Sequence, residues 1–359
     1  MEAGRRGSRR LRKGSASVLT TTTQDTGVLA TIGNTPLIQL NKLIPDAGFH
    51  VYGKLESLNP GGSIKDRVAY SMLSGLIERG ELVPGRSVIV ESTSGNLGIG
   101  LAQLCVYFGL RFVCVVDART TEQNLSILRA YGAEVNVVTE VDPDTGEYLP
   151  ARLRRVRELA ATVPHAYWPN QYANPLNAAA HHRTVAEILS AVDGQLDYLF
   201  CATSSCGTLR GTAEYLRSQN LDTTIVAVDA EGSAIFGKRP MPRLIPGHGA
   251  SVVPALFGEG LADRVMHISD LDCVRGCRRL VGTEAILAGG SSGAVVSALL
   301  RLAPEIPPGS TVALVLPDRG DRYLATVYSD DWVAEKFGVD AADINKVLGA
   351  ADLREKIAC

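Results

Sequence analysis

From residue 87 onward the chain alternates between short aliphatic, β-branched runs and longer runs with helical periodicity. The short runs predict buried strands, and the longer runs predict helices that pack on the faces of a sheet. The first five segments of this alternation are 87–92, 97–109, 111–118, 122–132 and 133–140. A strand–helix–strand order of this kind predicts an α/β protein built on parallel sheets.

A polar loop followed by a basic helix, residues 141–159, interrupts the alternation, which resumes over 196–232 and 285–320. The chain has 359 residues, which is long enough for two such units. We therefore expect an α/β fold with two parallel-sheet lobes. Between the resumed segments lies the Pro/Gly-rich stretch 239–254, which predicts a long loop near a site or an interface.

Composition excludes several classes of protein. The net charge of −2 gives no argument for nucleic acid or a membrane surface as a partner. No apolar run approaches the roughly 18 residues that a transmembrane helix needs. The seven cysteines contain no CxxC pair, and the six histidines lack an HExxH spacing. We expect no metal site and a reducing, cytoplasmic compartment.

The two ends of the chain differ from its middle. Residues 1–26 are basic and then polar, and they lack the apolar region of a secretory signal. We expect them to form a disordered tail, or to result from a start site placed too early. Residues 334–359 are expected to form a C-terminal helical tail.

Three loops rich in small residues lie where a strand is predicted to give way to a helix. They are STSGN at 92–96, SSCGT at 204–208 and GGSSG at 289–293. In open α/β sheets ligands bind beyond the carboxyl ends of the strands, and helix N-termini favour anions. The first loop suits a carboxylate and the second a phosphate. Neither GxGxxG nor GxxxxGK[ST] is present, which weakens dinucleotide and P-loop nucleotide interpretations.

The segment SLNPGGSIKDRVAY, residues 57–70, places a lysine at the start of a helix. Ser63 is the predicted N-cap, so Lys65 and Arg67 fall in or beside the first turn. The helix dipole and the neighbouring Arg67 are expected to lower the pKa of Lys65 and favour the nucleophilic neutral amine. An amine beside phosphate and carboxylate cradles suggests a Schiff base with pyridoxal phosphate acting on an amino acid. The alternative is that Lys65 pairs with Asp66 or Glu56.

Several motifs in this order resemble a known family. They are TIGNTPLIQL, NPGGSIKDR, TSGN, NQYANPLN, the loop that ends in GT, and GGSSG. Together they resemble the fold-type II pyridoxal-phosphate enzymes, specifically the cysteine synthase and cystathionine β-synthase group. The resemblance covers about residues 30–333 and implies a cofactor between two lobes. The smaller lobe would span about 60–168, and the larger about 30–58 plus 169–325.

The resemblance implies roles for the residues that match the cofactor motifs. Lys65 would carry the cofactor and later move the proton at Cα, and Asn96 would bind the ring hydroxyl oxygen. Ser291 would face the pyridine nitrogen, where a serine does not hold the ring protonated as a carboxylate would. The cofactor phosphate would be bound by the loop residues Ser204, Ser205, Cys206, Gly207 and Thr208.

The resemblance also implies a substrate site and a reaction class. The α-carboxylate of an amino-acid substrate would be held by Thr93, Ser94, Gly95 and Gln171. The reaction would be β-replacement, in which an O-substituted serine loses its leaving group and a nucleophile adds at Cβ. The enzymes of this group also lead us to expect a homodimer.

Three departures from cysteine synthases point to a narrower branch of the family. Leu97 replaces the last threonine of TSGNT, SSCGT replaces GTGGT, and DRGDRY lacks the usual serine after its first aspartate. These features resemble the branch that makes N-(2-amino-2-carboxyethyl)-L-glutamate from O-phospho-L-serine and L-glutamate. Its product is a precursor of 2,3-diaminopropionate for siderophores or peptide antibiotics.

A phosphate leaving group is best held by an arginine. We predict that Arg152 makes that contact, with Tyr172 and Ser204 as nearby hydrogen-bond donors. A position of Arg152 on a solvated helix face is an equally good interpretation. The other arginines of the basic helix, Arg154, Arg155 and Arg157, are expected to lie on such a face.

Other interpretations remain open at the level of sequence. Sulfide in place of glutamate would give a cysteine synthase, and water would give a serine or threonine dehydratase. A catalytically idle paralogue that serves as a binding subunit is disfavoured by the intact Lys65, Asn96 and Ser291. Cys206 could be a reactive thiol at a helix N-terminus, but we favour a small packing residue there.

Overall fold

The structure is a computed structural model that describes residues 26–144, 146–237, 239–340 and 344. The predicted N-terminal tail, apart from Thr26, lies outside the described residues. So does most of the predicted C-terminal tail beyond residue 340.

Ten strands form two sheets within the described residues. In chain order they are β1 (Leu37–Gln39), β2 (His50–Leu55), β3 (Val88–Ser92), β4 (Arg111–Asp117), β5 (Glu134–Val138), β6 (Ala166–Tyr167), β7 (Tyr198–Ala202), β8 (Thr224–Ala230), β9 (Arg264–Ile268) and β10 (Thr311–Leu316). The larger sheet has the order β1-β2-β10-β7-β8-β9, and the smaller has the order β5-β4-β3-β6. Every pairing is parallel except that of the edge strand β1 with β2. The predicted α/β class with two parallel-sheet lobes is confirmed.

Helices cover the faces of both sheets. They are α1 (Lys65–Glu78), α2 (Asn96–Phe108), α3 (Glu122–Ala130), α4 (Tyr148–Thr162), α5 (Pro175–Ala191), α6 (Gly207–Ser218), α7 (Asp270–Glu284), α8 (Gly290–Leu302) and α9 (Asp330–Phe337). Strands buried on both faces are continuous apolar runs, as in β10, whose last five residues are apolar and buried. Separate apolar clusters fill the space between each sheet and its helices.

The start of α1 differs from the prediction. Ile64, not Ser63, occupies the N-cap position, and no side chain caps this helix. Ser63 instead forms an isolated antiparallel bridge with Asp318, and its hydroxyl accepts a hydrogen bond from the Lys65 N–H at 3.2 Å. The backbone at residue 63 is therefore tied to the larger lobe, which fixes where Lys65 enters the helix.

The three small-residue loops follow strands of the two sheets. The first follows β3 and leads into α2, the second follows β7 and leads into α6, and the third leads into α8. The strands β3 and β7 are interior members of their sheets. The first and third loops and Lys65 lie together where the lobes meet, because residues 317–320 after β10 hydrogen-bond to residues 62 and 64, to Asn96 and to the third loop.

All six described cysteines are buried and unpaired. Within the part of the chain that the structure describes, no group of three or more acidic, histidine or cysteine side chains is arranged to hold a metal. None of the helices in those same residues has the length and apolarity needed to cross a bilayer.

Candidate active site

Lys65 is the first residue of α1, at the end of a loop that the larger lobe holds in place. Burial lowers the pKa of Lys65 from its usual 10.5 to about 8, and the nearby carboxylate of Asp318 opposes part of that shift. A substantial fraction of the amine is therefore neutral near pH 8, and the neutral amine is the nucleophilic form.

The predicted direction of the Lys65 pKa agrees with the structure, but the predicted contribution of Arg67 is wrong. Arg67 pairs with Glu56 at 2.7 Å and with Glu187 at 2.6 Å, and its charge is not among the causes of the Lys65 shift. The alternative pairing of Lys65 is wrong as well, since Glu56 binds Arg67 and Asp66 accepts from the Gly61 N–H at 2.5 Å. Burial, which sequence spacing does not reveal, is the main cause.

A buried ionic cluster lies on the Arg67 side of α1. Its four inner members are Lys54, Glu56, Arg67 and Glu187, and the partly exposed Arg183 also pairs with Glu187 at 3.2 Å. Glu56 and Lys54 are at most 1% exposed, so the cluster is largely removed from water. Because each of its charges has a near partner of the opposite sign, we regard it as a support for the loop that carries Lys65.

Asp318 is the carboxylate whose charge raises the pKa of Lys65 against burial. It was not identified as a site residue from the sequence. Its Oδ2 accepts hydrogen bonds from Asn96 Nδ2 at 2.8 Å and from the Tyr323 hydroxyl at 2.6 Å, while Oδ1 is buried without a partner. Burial raises the pKa of Asp318. A Cβ at Gly289 would collide with this carboxyl group, so the third loop needs glycine there.

Asn96 begins α2, and both ends of its amide are engaged. Nδ2 donates to Asp318, and Oδ1 accepts from Arg322, which also donates to the Gly61 carbonyl. The segment after β10 therefore contacts both the first loop and the loop before Lys65. This inter-lobe contact was not predicted, because its members are more than 200 residues apart in sequence.

The first loop and Gln171 lie together at the end of β3. The Thr93 hydroxyl accepts a hydrogen bond from the Gly98 N–H at 3.2 Å, while Ser94 and Gly95 are half-buried. A Cβ at Gly95 would meet open space, so the backbone there faces the cleft. Gln171 is 8% exposed, and its amide donates to the Ser92 carbonyl at 3.4 Å.

The second loop is held tightly against α5. Asn177 Nδ2 donates to Ser205 Oγ at 3.1 Å, and Thr208 Oγ1 shares a hydrogen bond of 3.3 Å with His181. Side chains added at Gly207 or at Gly211 would collide with α5, so glycine permits this close approach. The first N–H groups of α6 point out of the helix end and favour an anion.

Cys206 has a φ of 63°, in the left-handed region. Its side chain packs in an apolar cluster with Ile235, Ala250 and Leu256, and burial raises the pKa of the thiol to about 12. The thiol is therefore not activated, and any contact of Cys206 with an anion is made by its backbone. The interpretation as a packing residue fits this geometry.

The third loop leads into α8 at Gly290. Ser291 is half-buried in the first turn, and Ser292 is fully buried with an Oγ that has no partner among the described residues. The Cys277 thiol donates to the Gly289 carbonyl at 3.2 Å. Two hydroxyls and an unpartnered carboxyl oxygen thus surround the start of α8.

The basic helix α4 presents one arginine inward. Arg152 is 11% exposed, and its Nε lies 3.3 Å from Asp117 at the end of β4. The remaining arginines lie outward: Arg154 pairs with Asp142, Arg155 with Glu158, and Arg157 lies over the Trp168 ring. The outward placement of these three arginines agrees with the prediction, and Arg152 is not part of the solvated face.

Tyr172 lies within range of two positive charges. Burial raises its pKa, and the guanidinium groups of Arg152 and Arg243 lower it. Arg243 was not singled out from the sequence, although its Pro/Gly-rich segment was predicted to lie near a site.

The site has the groups that pyridoxal phosphate requires. An anion cradle at α6 suits the phosphate, and a half-buried amine with a lowered pKa suits the aldehyde. The unpartnered oxygens at Ser292 and Asp318 supply polar groups for a ring. The residues present therefore fit this cofactor.

Comparisons with known proteins agree with this chemistry. Residues 28–318 match the pyridoxal-phosphate dependent enzyme family. A solved O-ureido-L-serine synthase is similar with a TM-score of 0.78 and 33% identity, covering 86% of this chain and 98% of that one. A hydrogen sulfide-producing enzyme from Fusobacterium nucleatum has a TM-score of 0.77 and 33% identity, covering 84% and 100%.

An O-acetylserine dependent cystathionine β-synthase from Helicobacter pylori is similar to the same degree. Its TM-score is 0.78 at 32% identity, and the match covers 86% of this chain and 100% of that one. The resemblance to the cysteine synthase and cystathionine β-synthase group is thereby confirmed at the level of the family. The chain belongs to the pyridoxal-phosphate dependent enzymes of fold type II, a family whose members replace the β-substituent of serine derivatives.

Proposed function

We propose that the protein catalyses β-replacement on O-phospho-L-serine with L-glutamate as the nucleophile. The Cβ–O bond of the donor breaks, a bond forms between Cβ and the glutamate nitrogen, and the proton of the neutral amine leaves on the phosphate. The products are N-(2-amino-2-carboxyethyl)-L-glutamate and phosphate. The observation that carries the proposal is Arg152, an inward-facing guanidinium 11% exposed beside the cleft.

Pyridoxal phosphate, when bound, supplies the electron sink that permits loss of the Cα proton and of the β-substituent. Lys65 holds the cofactor and moves the proton at Cα. Its pKa of about 8 suits this task, because a base works best when its pKa lies near the operating pH. Asn96, Ser291 and the loop 204–208 orient the cofactor.

The donor is held by its two anionic ends. Its α-carboxylate binds at the first loop, where Ser94 and Gly95 are half-buried and Gln171 lies alongside. Its phosphate binds Arg152, with Tyr172 and Ser204 donating hydrogen bonds. The Asp117 carboxylate lies 3.3 Å from Nε of Arg152, and a phosphate would take the outer nitrogens of the guanidinium fork.

The cellular compartment, the oligomeric state and the pathway of the product form part of the proposal. Buried, unpaired cysteines support a reducing, cytoplasmic compartment. The family resemblance supports a homodimer and a product that serves 2,3-diaminopropionate synthesis for a siderophore or peptide antibiotic.

The second candidate is a cysteine synthase that uses sulfide. It is favoured by the similarity to a hydrogen sulfide-producing enzyme and to an O-acetylserine dependent enzyme. The inward position of Arg152 favours phosphoserine over acetylserine, because acetate leaves with one charge and phosphate with close to two.

The test is a product assay by mass spectrometry with purified holoenzyme. O-phospho-L-serine and O-acetyl-L-serine are each supplied with L-glutamate or with sulfide. We expect the N-linked adduct from phosphoserine and glutamate. Cysteine as the sole product would overturn the proposal in favour of the second candidate, and no product from any pair would favour a non-catalytic binding subunit.

The variant Arg152→Ala tests the contact with the donor phosphate separately from cofactor binding. We expect the KM for phosphoserine to rise sharply while the visible spectrum of the bound cofactor is unchanged. Arg154→Ala is the matched control, since Arg154 lies on the same helix with its side chain 53% exposed. Equal phosphoserine kinetics in both variants would remove Arg152 from the site.

A further inference from the structure

The Pro/Gly-rich segment 239–254 packs beside the cofactor loops. The Gly249 N–H donates to the carbonyl of Thr203, the residue before the second loop, at 2.8 Å. A side chain at Gly290, in the third loop, would collide with Ile245 of this segment. The segment therefore lies against both loops that surround the proposed cofactor site.

Arg243 is the charged side chain that this segment turns toward the cleft. It is half-buried, and it donates to the Gly232 carbonyl at 3.2 Å and to Ser251 Oγ at 3.3 Å. Unlike Arg152, it has no ion pair with any carboxylate among the described residues. Its guanidinium thus has unused donors, and no carboxylate is in direct contact with it.

The charge of Arg243 is not balanced by its surroundings. Burial lowers the pKa of Arg243, and the carboxylates of Asp229, Asp270 and Glu147 offset only part of that effect. An arginine keeps its charge when half-buried, so an anion that binds there removes an existing electrostatic cost.

His248 adds a second unsatisfied polar group in the same segment. It is 1% exposed, and both of its ring nitrogens lack hydrogen-bond partners among the described residues. Burial and the charge of Arg243 lower the pKa of His248 to about 3, so the ring is neutral at physiological pH. A neutral imidazole beside Arg243 can donate one hydrogen bond to an anion.

The segment also meets α4 across the cleft. Val252 lines a cavity of about 230 Å³ together with the α4 residues Leu149, Pro150, Leu153, Arg154 and Arg157. The charges of Arg152 and Arg243 both lower the pKa of Tyr172, which therefore lies near both. That cavity lies on the outward side of α4, so the common neighbour of the two guanidinium groups is Tyr172, with Arg152 on the smaller lobe and Arg243 on the larger.

We propose that Arg243 binds a carboxylate of the amine acceptor and so selects a dicarboxylic amino acid over sulfide. The inference rests on the proposed function. The acceptor nitrogen must reach the Cβ that the phosphate leaves, so the rest of the acceptor extends from the Arg152 side toward the mouth of the cleft. Arg243 is carried by the segment that packs on the second and third loops, it acts on Tyr172 as Arg152 does, and it has donors to spare.

The first test compares Arg243→Gln with the wild-type holoenzyme under saturating O-phospho-L-serine. Losing one partner of a half-buried ion pair should raise the KM for L-glutamate at least roughly 30-fold. The KM for the donor should not change, and Arg243→Lys should recover part of the loss. Arg239→Gln is the matched control, because Arg239 is exposed on the same segment. An unchanged KM for glutamate in Arg243→Gln overturns the inference.

The second test needs no turnover, and it separates this inference from the proposed function. Glutarate, which has both carboxylates but no amine, is titrated into each holoenzyme by calorimetry. Binding to the wild type and to Arg239→Gln but not to Arg243→Gln supports the inference, even if glutamate gives no product. Equal binding to all three proteins, or none to the wild type, overturns it.

Discussion

Two groups of buried charges lie on the two sides of α1, and they differ in what fixes their protonation. On one side Arg67 and Glu187 are joined at 2.6 Å. Burial raises the pKa of Glu187, but Arg67 and Lys54 outweigh burial and lower it to about 2. On the other side burial dominates, lowering the pKa of Lys65 and raising that of Asp318.

This difference in what sets the pKa distinguishes charges that support the structure from charges suited to react. A charge matched by near partners keeps one protonation state and is suited to holding a structure together. A buried group with few partners has a pKa near the operating pH and is suited to moving a proton. Lys54 is intermediate, since burial lowers its pKa despite its ion pair with Glu187. Lys65 and Arg67, two residues apart, are thus suited to opposite tasks.

The largest expected effect comes from removing the reacting amine. Lys65→Ala should reduce turnover by at least about 10³-fold, because no other described amine occupies its place in the cleft. The free energy of unfolding should change far less than turnover, since Lys65 has no ion pair in the described structure. Turnover and chemical denaturation measure the two quantities, with Lys42→Ala as an exposed control. Turnover within tenfold of the wild type would contradict the assignment.

Removing a supporting charge should affect stability first. Arg67→Met leaves the buried carboxylates of Glu56 and Glu187 without their main partner, at an expected cost of about 3–5 kcal/mol of unfolding free energy. Arg79→Met, just beyond the end of the same helix, removes a 60% exposed arginine and should cost less than about 1 kcal/mol. Denaturant titration measures both. Equal losses in the two variants would show that the cluster is not a support.

The acid limb of the stability curve should reflect the same cluster. The pKa of Glu187 is lowered from 4.5 to about 2, so its stabilising contribution is present above pH 4.5 and is lost as the pH falls toward 2. The loss should reach at most about 3 kcal/mol.

Asp66 and Glu91 have pKa values raised to about 7, so their contributions are instead lost as the pH rises toward 7. Glu187→Gln should be less stable at neutral pH and have a shallower acid limb than the wild type. Parallel acid limbs in denaturation measured at several pH values would contradict the shift.

The smallest effect tests the one charge that acts on Lys65. The carboxylate of Asp318 raises the pKa of Lys65 against burial, so Asp318→Asn should lower it further below 8. The pH midpoint for uptake of pyridoxal phosphate by the apoenzyme should then move down by roughly one unit. Absorbance after rapid mixing measures the uptake rate. Asp321→Asn serves as an exposed control, and a common midpoint in all three proteins would exclude the interaction.

Sequence alone identified the elements that local pattern determines. The strand and helix order, the three loops and the position of Lys65 all depend on periodicity and on small residues at fixed points. The inward turn of Arg152 could not be predicted, because helical spacing does not say which face Asp117 meets. The direction of the Lys65 pKa was predicted, but its main cause was not, since burial depends on the whole fold.

The groups that were missed share long sequence separations. Asp318 meets Asn96 from 222 residues away, and Glu187 meets Arg67 from 120 residues away. Such partners carry no local signal, since an isolated aspartate or glutamate is most often exposed. Arg243 lay within a predicted functional loop, but only the structure shows that its side chain is half-buried and bonded to neutral groups of its own region.

Cys206 links two parts of the site that have been treated separately. It holds a left-handed backbone that glycine would adopt without strain, and its side chain is inserted among Ile235, Ala250 and Leu256. The strain is compensated by this apolar anchor, which joins the second loop to Ala250 of the segment that bears Arg243. Packing at one buried thiol therefore bears on both proposed binding regions, the cradle for the cofactor phosphate and the segment that carries Arg243.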